Sequence, residues 1–275
     1  MKNWILFLLL IFLNCSFGQP ICNAYKQHGD MLKFRACKKV EETKGHYQFS
    51  KEYQEILDEA LEIDSTYAYA YQAKGYAYLK SGDFVNWEKL MAKAVKFEPE
   101  QHLGYRGWCR YQFFRDYEGA IADIERLEQL IKGDIGFGQN GDYHLKIAKA
   151  LCYKGIGDRN KAIEIIENEL SSKDHFLGLY DYLHLGVLYL ESQNYDKAIQ
   201  AFKAQEQENT LADNEFYMAM AYKGIQNKVK YQEHLKKSYA LYKKNRHLFD
   251  PYTHQMDRVF LNDIELELRE VSIKN

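Results

Sequence analysis

Only three prolines, Pro20, Pro99 and Pro251, are spread over 275 residues, and a chain so poor in helix breakers can run as a mostly helical protein. An excess of one charge is also lacking, since 37 Lys and Arg stand against 39 Asp and Glu. With no basic surplus to gather phosphate backbones, nucleic acid is not the expected partner. Disorder is excluded as well, because 46% hydrophobic and 28% charged content is ordinary for a folded chain. Catalytic signatures are scarce: HExxH, GxSxG and paired cysteines two apart do not occur. The nine histidines, at 28, 46, 102, 144, 175, 184, 234, 247 and 254, have no metal-ligand spacing. The expectation is therefore a protein without enzymatic activity, metal or cofactor.

Long apolar runs are confined to Trp4–Leu13. Ten residues make about 15 Å of helix, roughly half a bilayer's hydrocarbon core. Lys2 in front of this run, with Ser16 and Gly18 behind it, reads as an export signal over 1–18, cleaved to leave Gln19. The expected location is periplasmic or secreted. Cys15 leaves open a lipoprotein anchored through that residue, and only then would a membrane be a partner.

Export permits disulfides. Cys22 and Cys37 would lie about 22 Å apart on one continuous helix, whereas a bridge needs Cα atoms within roughly 7 Å. Gly29 and Asp30 offer a reversal between them. A Cys22–Cys37 bridge and two buried thiols both remain open. Cys109 and Cys152 read as small core residues inside helices.

Tyrosine, at 23 residues, carries the plainest pattern. Tyr78, Tyr111, Tyr153, Tyr189 and Tyr222 recur at intervals of 33, 42, 36 and 33, and nine residues after each stands Trp87, Ala120, Ala162, Ala198 or Tyr231. Periods of this size mark stacked supersecondary units. Tyr182, Leu185, Gly186, Tyr189, Ala198 and Phe202 resemble the tetratricopeptide repeat, a helix-turn-helix unit of 34 residues. Tyr71, Gly75, Tyr78, Gly82, Asp83, Met91, Ala94 and Pro99 resemble it equally, and weaker units surround Tyr117 and Ile124, Ala150 and Ile166, and Ala219 and Leu235. The resemblance implies an all-α, right-handed superhelical solenoid over residues 46–243. Residues 19–45 form an N-terminal capping segment and 244–275 a C-terminal capping helix.

Small residues such as Gly75, Ala150, Gly186 and Ala219 are expected to let paired helices approach closely. Trp108 stands where such a residue is due, Trp87 and Tyr231 replace an alanine, and Glu169 and Gln205 occupy another normally small site. Irregular stacking is expected there. The 42-residue interval places eight extra residues in a glycine-rich insertion near 132–142. Its GFGQNG has the spacing of a dinucleotide loop but follows a helix rather than a strand, so it reads as a flexible inter-unit loop. Asp250 and Pro251 suit the start of the closing helix, with Met256, Phe260, Ile264 and Leu268 inward and Asp257 and Arg258 on its wet face.

The family resemblance further implies that the first helix of each unit lines a concave surface that binds a protein or peptide. By position this groove holds Tyr69, Gln72, Tyr76, His102, Tyr105, Arg106, His144, Tyr180, His184, Phe216 and Met220. Such an aromatic, weakly charged set suits extended peptides or an apolar partner helix. The expected function is a scaffold or adaptor of the bacterial cell envelope. The alternative is a subunit or lipoprotein of an outer-membrane assembly that docks by its outer face, leaving the groove incidental.

Overall fold

Five times the chain makes the same reversal between two helices. A residue in the left-handed region, Gly82, Arg115, Gly157, Gln193 or Gln226, ends the first helix. The Asp or Asn that follows caps the second: Asp83, Asp116, Asp158, Asn194 and Asn227 accept through the side chain from the backbone N–H three residues on. This joins a left-handed helix ending to a side-chain N-cap, and it satisfies orphan carbonyls and amides on both sides of one short turn. Glycine meets the left-handed requirement without a steric penalty at two of the five positions; Arg115, Gln193 and Gln226 meet it at φ 55°, 58° and 59°.

The computed structural model describes residues 21–173 and 176–273, so the signal reading over 1–18 and the Cys15 alternative lie outside the described residues. These residues hold fourteen α-helices. Two compact units divide at Phe97 and Glu98. The first contains α1 (Cys22–Gln27), α2 (Met31–Glu41), α3 (Lys51–Ile63), α4 (Ala68–Ser81) and α5 (Phe84–Phe97). Each helix packs on the next. Cys22 and Cys37 are joined as a disulfide with Cα atoms 5.5 Å apart, the chain reversing at Gly29 with φ 81°. Closing a loop of this length lowers unfolded-chain entropy by on the order of 3 kcal/mol. The bridge sits in a core of Ala36, Val40, Leu57, Ala60 and Tyr67. Trp87, fully buried, fills the space that Gly75 leaves open: a Cβ on Gly75 would lie 3.4 Å from the indole.

The second unit holds α6 (Pro99–Cys109), α7 (Tyr117–Leu130), α8 (Leu145–Gly155), α9 (Arg159–Ser171), α10 (Asp181–Glu191), α11 (Tyr195–Glu208), α12 (Ala212–Gly224), α13 (Lys228–Tyr242) and α14 (Leu261–Ile273). They pair as hairpins α6–α7, α8–α9, α10–α11 and α12–α13, and the first helices α6, α8, α10 and α12 also touch one another in sequence. That contact makes them one inner layer. Gly186 permits the close approach within its hairpin, since a Cβ there would fall 2.3 Å from the Phe202 ring.

Trp108 breaks the repeat for an identifiable reason. Residues Arg110–Phe114 form a π-helical turn, which inserts one extra residue before the cap. In the other four hairpins the capping N–H reaches back to the tyrosine carbonyl, as Asp158 does to Tyr153, but Asp116 reaches Arg110 instead of Tyr111. The small position therefore moves back by one to Gly107, whose missing Cβ would lie 3.1 Å from Ile124. Trp108 turns aside and is buried against Tyr111 and Tyr143, with ring centroids 5.6 and 5.8 Å away.

Against this indole packs the glycine-rich insertion. The expected flexible loop is instead a tight hairpin: Gly138 N–H donates to the Tyr143 carbonyl at 2.8 Å, Leu145 N–H to Gly136 at 2.9 Å, and Phe137 and His144 form an isolated antiparallel bridge. A Cβ on Gly138 would stand 2.4 Å from the Trp108 ring, so glycine is required by that contact. The other departures also have local causes. Gln205 Oε1 accepts from Leu183 N–H at 2.9 Å while its amide donates to the Leu179 carbonyl, so it caps the start of α10. Tyr231 donates to Glu267 of α14.

The closing helix begins later than the Asp250–Pro251 signal implies. Asp250 accepts from Tyr252 and Thr253 N–H at 2.8 and 2.9 Å, forming a turn rather than a helix cap, and α14 starts at Leu261. Leu268 and Val271 then cover Ala219, Tyr231 and Leu235, closing the last hairpin. Residues 244–260 form a non-helical strap.

Candidate functional site

Of the eleven residues assigned to a groove, Tyr69, Gln72 and Tyr76 lie on α4 in the first unit and the other eight in the second. None is exposed. Tyr69 and Tyr76 pack on the disulfide-bearing core, and burial raises the Tyr69 hydroxyl far above its ordinary range. Gln72 donates to the Tyr76 hydroxyl at 2.9 Å.

In the second unit several of these side chains already serve internal partners. Arg106 grips Asp123 with two bonds, at 2.8 and 2.5 Å, and Arg110 adds a third at 3.0 Å, tying α6 to α7. Bidentate pairing of this kind is among the stronger polar contacts. His144 Nδ1 accepts from Lys146 N–H at the start of α8, so Nε2 carries the proton donated to Asp134 at 2.7 Å. That bond, with the Gly136 amide, holds the Asp134 carboxyl below the usual range. His102 is buried within 4.0 Å of Glu98, and burial lowers its pKa to about 4. Tyr105 is half-buried on α6. Phe216 and Met220, also half-buried, pack on the core of the last hairpin.

His184 and Tyr180 are brought together through Tyr143, which lies outside the repeat pattern. The Tyr143 ring lies 5.4 Å from His184 and 5.8 Å from Tyr180, and its hydroxyl is 3.2 Å from His184 Nε2. Burial, followed by the charge of Asp142, pushes the Tyr180 hydroxyl up to about 12. Asp142 itself is raised by burial and by Asp250 of the strap.

Over this aromatic floor runs the strap. Asp257, expected on a solvent-facing helix surface, points inward, its Oδ2 at 2.7 Å from His184 Nδ1 and Oδ1 at 2.6 Å from Lys154 Nζ. Burial opposes the charge on Asp257, but Lys154 and His184 hold its carboxyl below the ordinary value. Lys154 also meets Glu191 at 2.9 Å. Asp213 of α12 accepts from Leu248 N–H and Val259 N–H, both at 2.7 Å, so one buried carboxylate holds two points eleven residues apart. Thr253 donates to the Gln112 carbonyl at 3.1 Å, and Arg115 donates to the His254 carbonyl. Every first helix of this unit, or the turn that ends it, thus holds the strap.

Nothing local distinguishes Lys154, Asp213 and Asp257, because each is an ordinary charged residue by sequence pattern. Only contacts across 103, 46 and 73 residues of chain reveal their roles. The thiols of Cys109 and Cys152 are buried and their pKa is raised by that burial, as expected of core cysteines.

The tetratricopeptide-repeat family model matches residues 68–101 and 182–206, the hairpins α4–α5 and α10–α11. No curated protein sequence matches the chain. Among solved structures, PilW, a widely conserved type IV pilus biogenesis factor, is similar with a TM-score of 0.60 at 13% identity, covering 86% of this chain and 98% of PilW. Pseudomonas aeruginosa PilF gives a TM-score of 0.56 at 14% identity over 89% of this chain and 99% of its own. Cut9–Hcn1 of the APC/C gives 0.55 at 13% identity, over 91% of this chain and 45% of that one. At these identities the likeness carries the fold. Among the described residues, no helix is long and apolar enough to cross a membrane.

Proposed function

We propose, on the premise that this chain is a tetratricopeptide-repeat protein, that it is a non-enzymatic scaffold or adaptor whose inner helix layer binds a polypeptide. The observation that carries the reading is the strap: the layer built by α6, α8, α10 and α12, with the turn that ends α6, holds a non-helical loop of chain through two backbone amides, one hydroxyl and one carboxylate. Helical repeats present such layers without chemistry of their own. A setting in the bacterial cell envelope is supported by the export signal read over 1–18. The proposed partner is a protein or peptide, and the proposed inner-surface contacts in the first unit are Tyr69, Gln72 and Tyr76.

The alternative, docking by the outer face within an outer-membrane assembly, is favoured by the same strap, because it covers the inner layer of the second unit. Crosslinking in the native envelope, with photoreactive groups at Tyr76 and Tyr105 on one hand and at Val85 and Val229 on the other, decides between them. Val85 and Val229 are 67% and 76% exposed, so a partner on the outer helices would meet them. Capture of a polypeptide through an inner position supports a groove in that unit, and capture through the outer positions alone rejects the groove reading. Intact mass of the mature protein tests the anchor: a chain starting at Gln19 is the soluble form, and a lipidated Cys15 excludes it.

A further inference from the structure

Polar contacts and two buried apolar side chains, Leu248 and Val259, hold the strap on the helices. It is a folded loop whose two ends meet one carboxylate, Asp213, and it sits on the helices as a bound polypeptide loop would. Asp213 takes two backbone N–H groups, Arg115 gives to a backbone carbonyl, and the Gln112 carbonyl receives the Thr253 hydroxyl. Three of these bonds recognise the polypeptide backbone of the strap and the fourth its Thr253 hydroxyl. The most deeply held side chain is a carboxylate: Asp257, in the left-handed region at φ 64°, enters between Lys154 and His184.

The far side of the strap does not belong to the core. Phe249 is 62% and Tyr252 75% exposed. Gln255, 4% exposed, meets no protein hydrogen-bond partner among the described residues, an imperfection for a buried amide. The receiving side, by contrast, depends on an occupant. His184 is fully buried and without Asp257 would keep only the Tyr143 hydroxyl at 3.2 Å; Asp213, also fully buried, would lose both strap amides. A carboxylate and an imidazole left so would be costly, so whatever removes the strap must replace the same bonds.

We infer that the strap is an internal ligand, occupying the inner layer of the second unit until a partner segment that presents a side-chain carboxylate to Lys154 and His184 displaces it. The inference rests on the polypeptide-binding reading above and adds the recognised chemistry and the barrier to recognition. Because the strap is tethered between α13 and α14, its effective concentration is on the order of millimolar, and a partner must exceed that advantage. Binding to the intact chain is accordingly weaker than binding to a chain whose strap is loosened.

The test uses the full-length mature protein, its Asp257→Ala variant, and synthetic peptides of residues 246–260 with and without the Asp257→Ala change. In the variant, amide exchange at Leu248 and Val259 should rise by about tenfold or more, as expected when one partner of a buried ion pair is removed, while α10–α13 keep their protection. The aspartate peptide should bind the variant, measured by calorimetry, and restore its protection. It should bind the unaltered protein, and the alanine peptide the variant, about tenfold more weakly or less. An unchanged strap in Asp257→Ala overturns the inference, as does equal binding of the two peptides or failure of the aspartate peptide to bind a loosened chain. Should circular dichroism show that Asp257→Ala has lost its helices, Thr253→Ala, which removes one partly buried hydroxyl, takes its place in the peptide comparison, and the same results support or overturn the inference. An envelope crosslink at Tyr105 that excess aspartate peptide does not diminish overturns the internal-ligand inference and leaves the scaffold reading standing. Absence of any crosslinked polypeptide removes the scaffold reading, while peptide rebinding still decides the nature of the strap.

Discussion

The Asp257 carboxylate and the His184 imidazole meet at 2.7 Å although 73 residues separate them, and neither is on the protein surface. Lys154, at 2.6 Å from the same carboxylate, supplies the balancing positive charge. Because the folded-state pKa of Asp257 is depressed, its contribution to stability is present above the ordinary carboxylate value of 3.8 and is lost as pH falls through the lower folded value. The strap should therefore loosen only below about pH 4, a range set by ordinary carboxylate titration. Exchange of the Leu248 and Val259 amides followed from pH 7 to pH 3 checks this. Loosening that is complete by pH 5 would contradict it.

His102 titrates in a different window. Burial lowers its pKa to about 4, so its stabilising effect is full above the unfolded value near 6.5 and declines as pH falls from there toward 4. The associated loss is on the order of 2–3 kcal/mol. Replacing His102 by leucine should flatten the stability profile between pH 6.5 and 4, as measured by urea denaturation at each pH. A profile with the same slope in both proteins would show that some other group governs acid sensitivity.

Gly138 and Trp108 form a contact with no room for a methyl group, the added Cβ falling 2.4 Å from the ring. Gly138→Ala should cost about 1–3 kcal/mol through overpacking. Trp108→Leu relieves the clash while leaving a cavity, so the double variant should be more stable than the sum of the single effects implies. Thermal melts of the four proteins give the coupling. Strict additivity would mean that the insertion does not lean on the indole.

Two of the five inter-helix turns use glutamine in the left-handed region, Gln193 at φ 58° and Gln226 at φ 59°. Glycine carries no Cβ penalty there, and relief of roughly 1 kcal/mol at each site is expected from Gln193→Gly and Gln226→Gly, partly offset by the greater freedom of glycine when unfolded. Conversely, Gly82→Ala and Gly157→Ala, at φ 80° and 91°, should destabilise by about 1 kcal/mol or more. Differential scanning calorimetry on the four variants separates the two directions. A fall in melting temperature for both glutamine replacements would show that the side chains, not the backbone, hold these turns.

What local sequence can reveal is visible in those turns. Gly82–Asp83 and Gly157–Asp158 announce themselves, because glycine takes the left-handed ending without a Cβ penalty and an aspartate caps the helix that begins beside it. The same turns at Gln193–Asn194 and Gln226–Asn227 carry no such signal, since a glutamine forced into the left-handed region by its neighbours looks like any surface residue. At Trp108 the pattern shows an irregularity but hides its cause: a π-helical turn adds one residue inside a helix and leaves the hydrophobic pattern around it intact. The glycine-rich insertion misleads in the opposite direction. Its composition signals freedom, whereas two of its backbone bonds and the Trp108 ring fix it in place.

The all-α repeat architecture and the close helix contacts at Gly75 and Gly186 are legible in the sequence, because periodicity and residue size act over a few residues and are written where they act. Only the tertiary structure decided that residues 244–260 lie across the inner helix layer and that Asp257 turns inward to Lys154 and His184. The physical reason is that burial of a charge is set by what the fold brings beside it. The partners of Asp257 stand 103 and 73 residues away, beyond the reach of any local pattern.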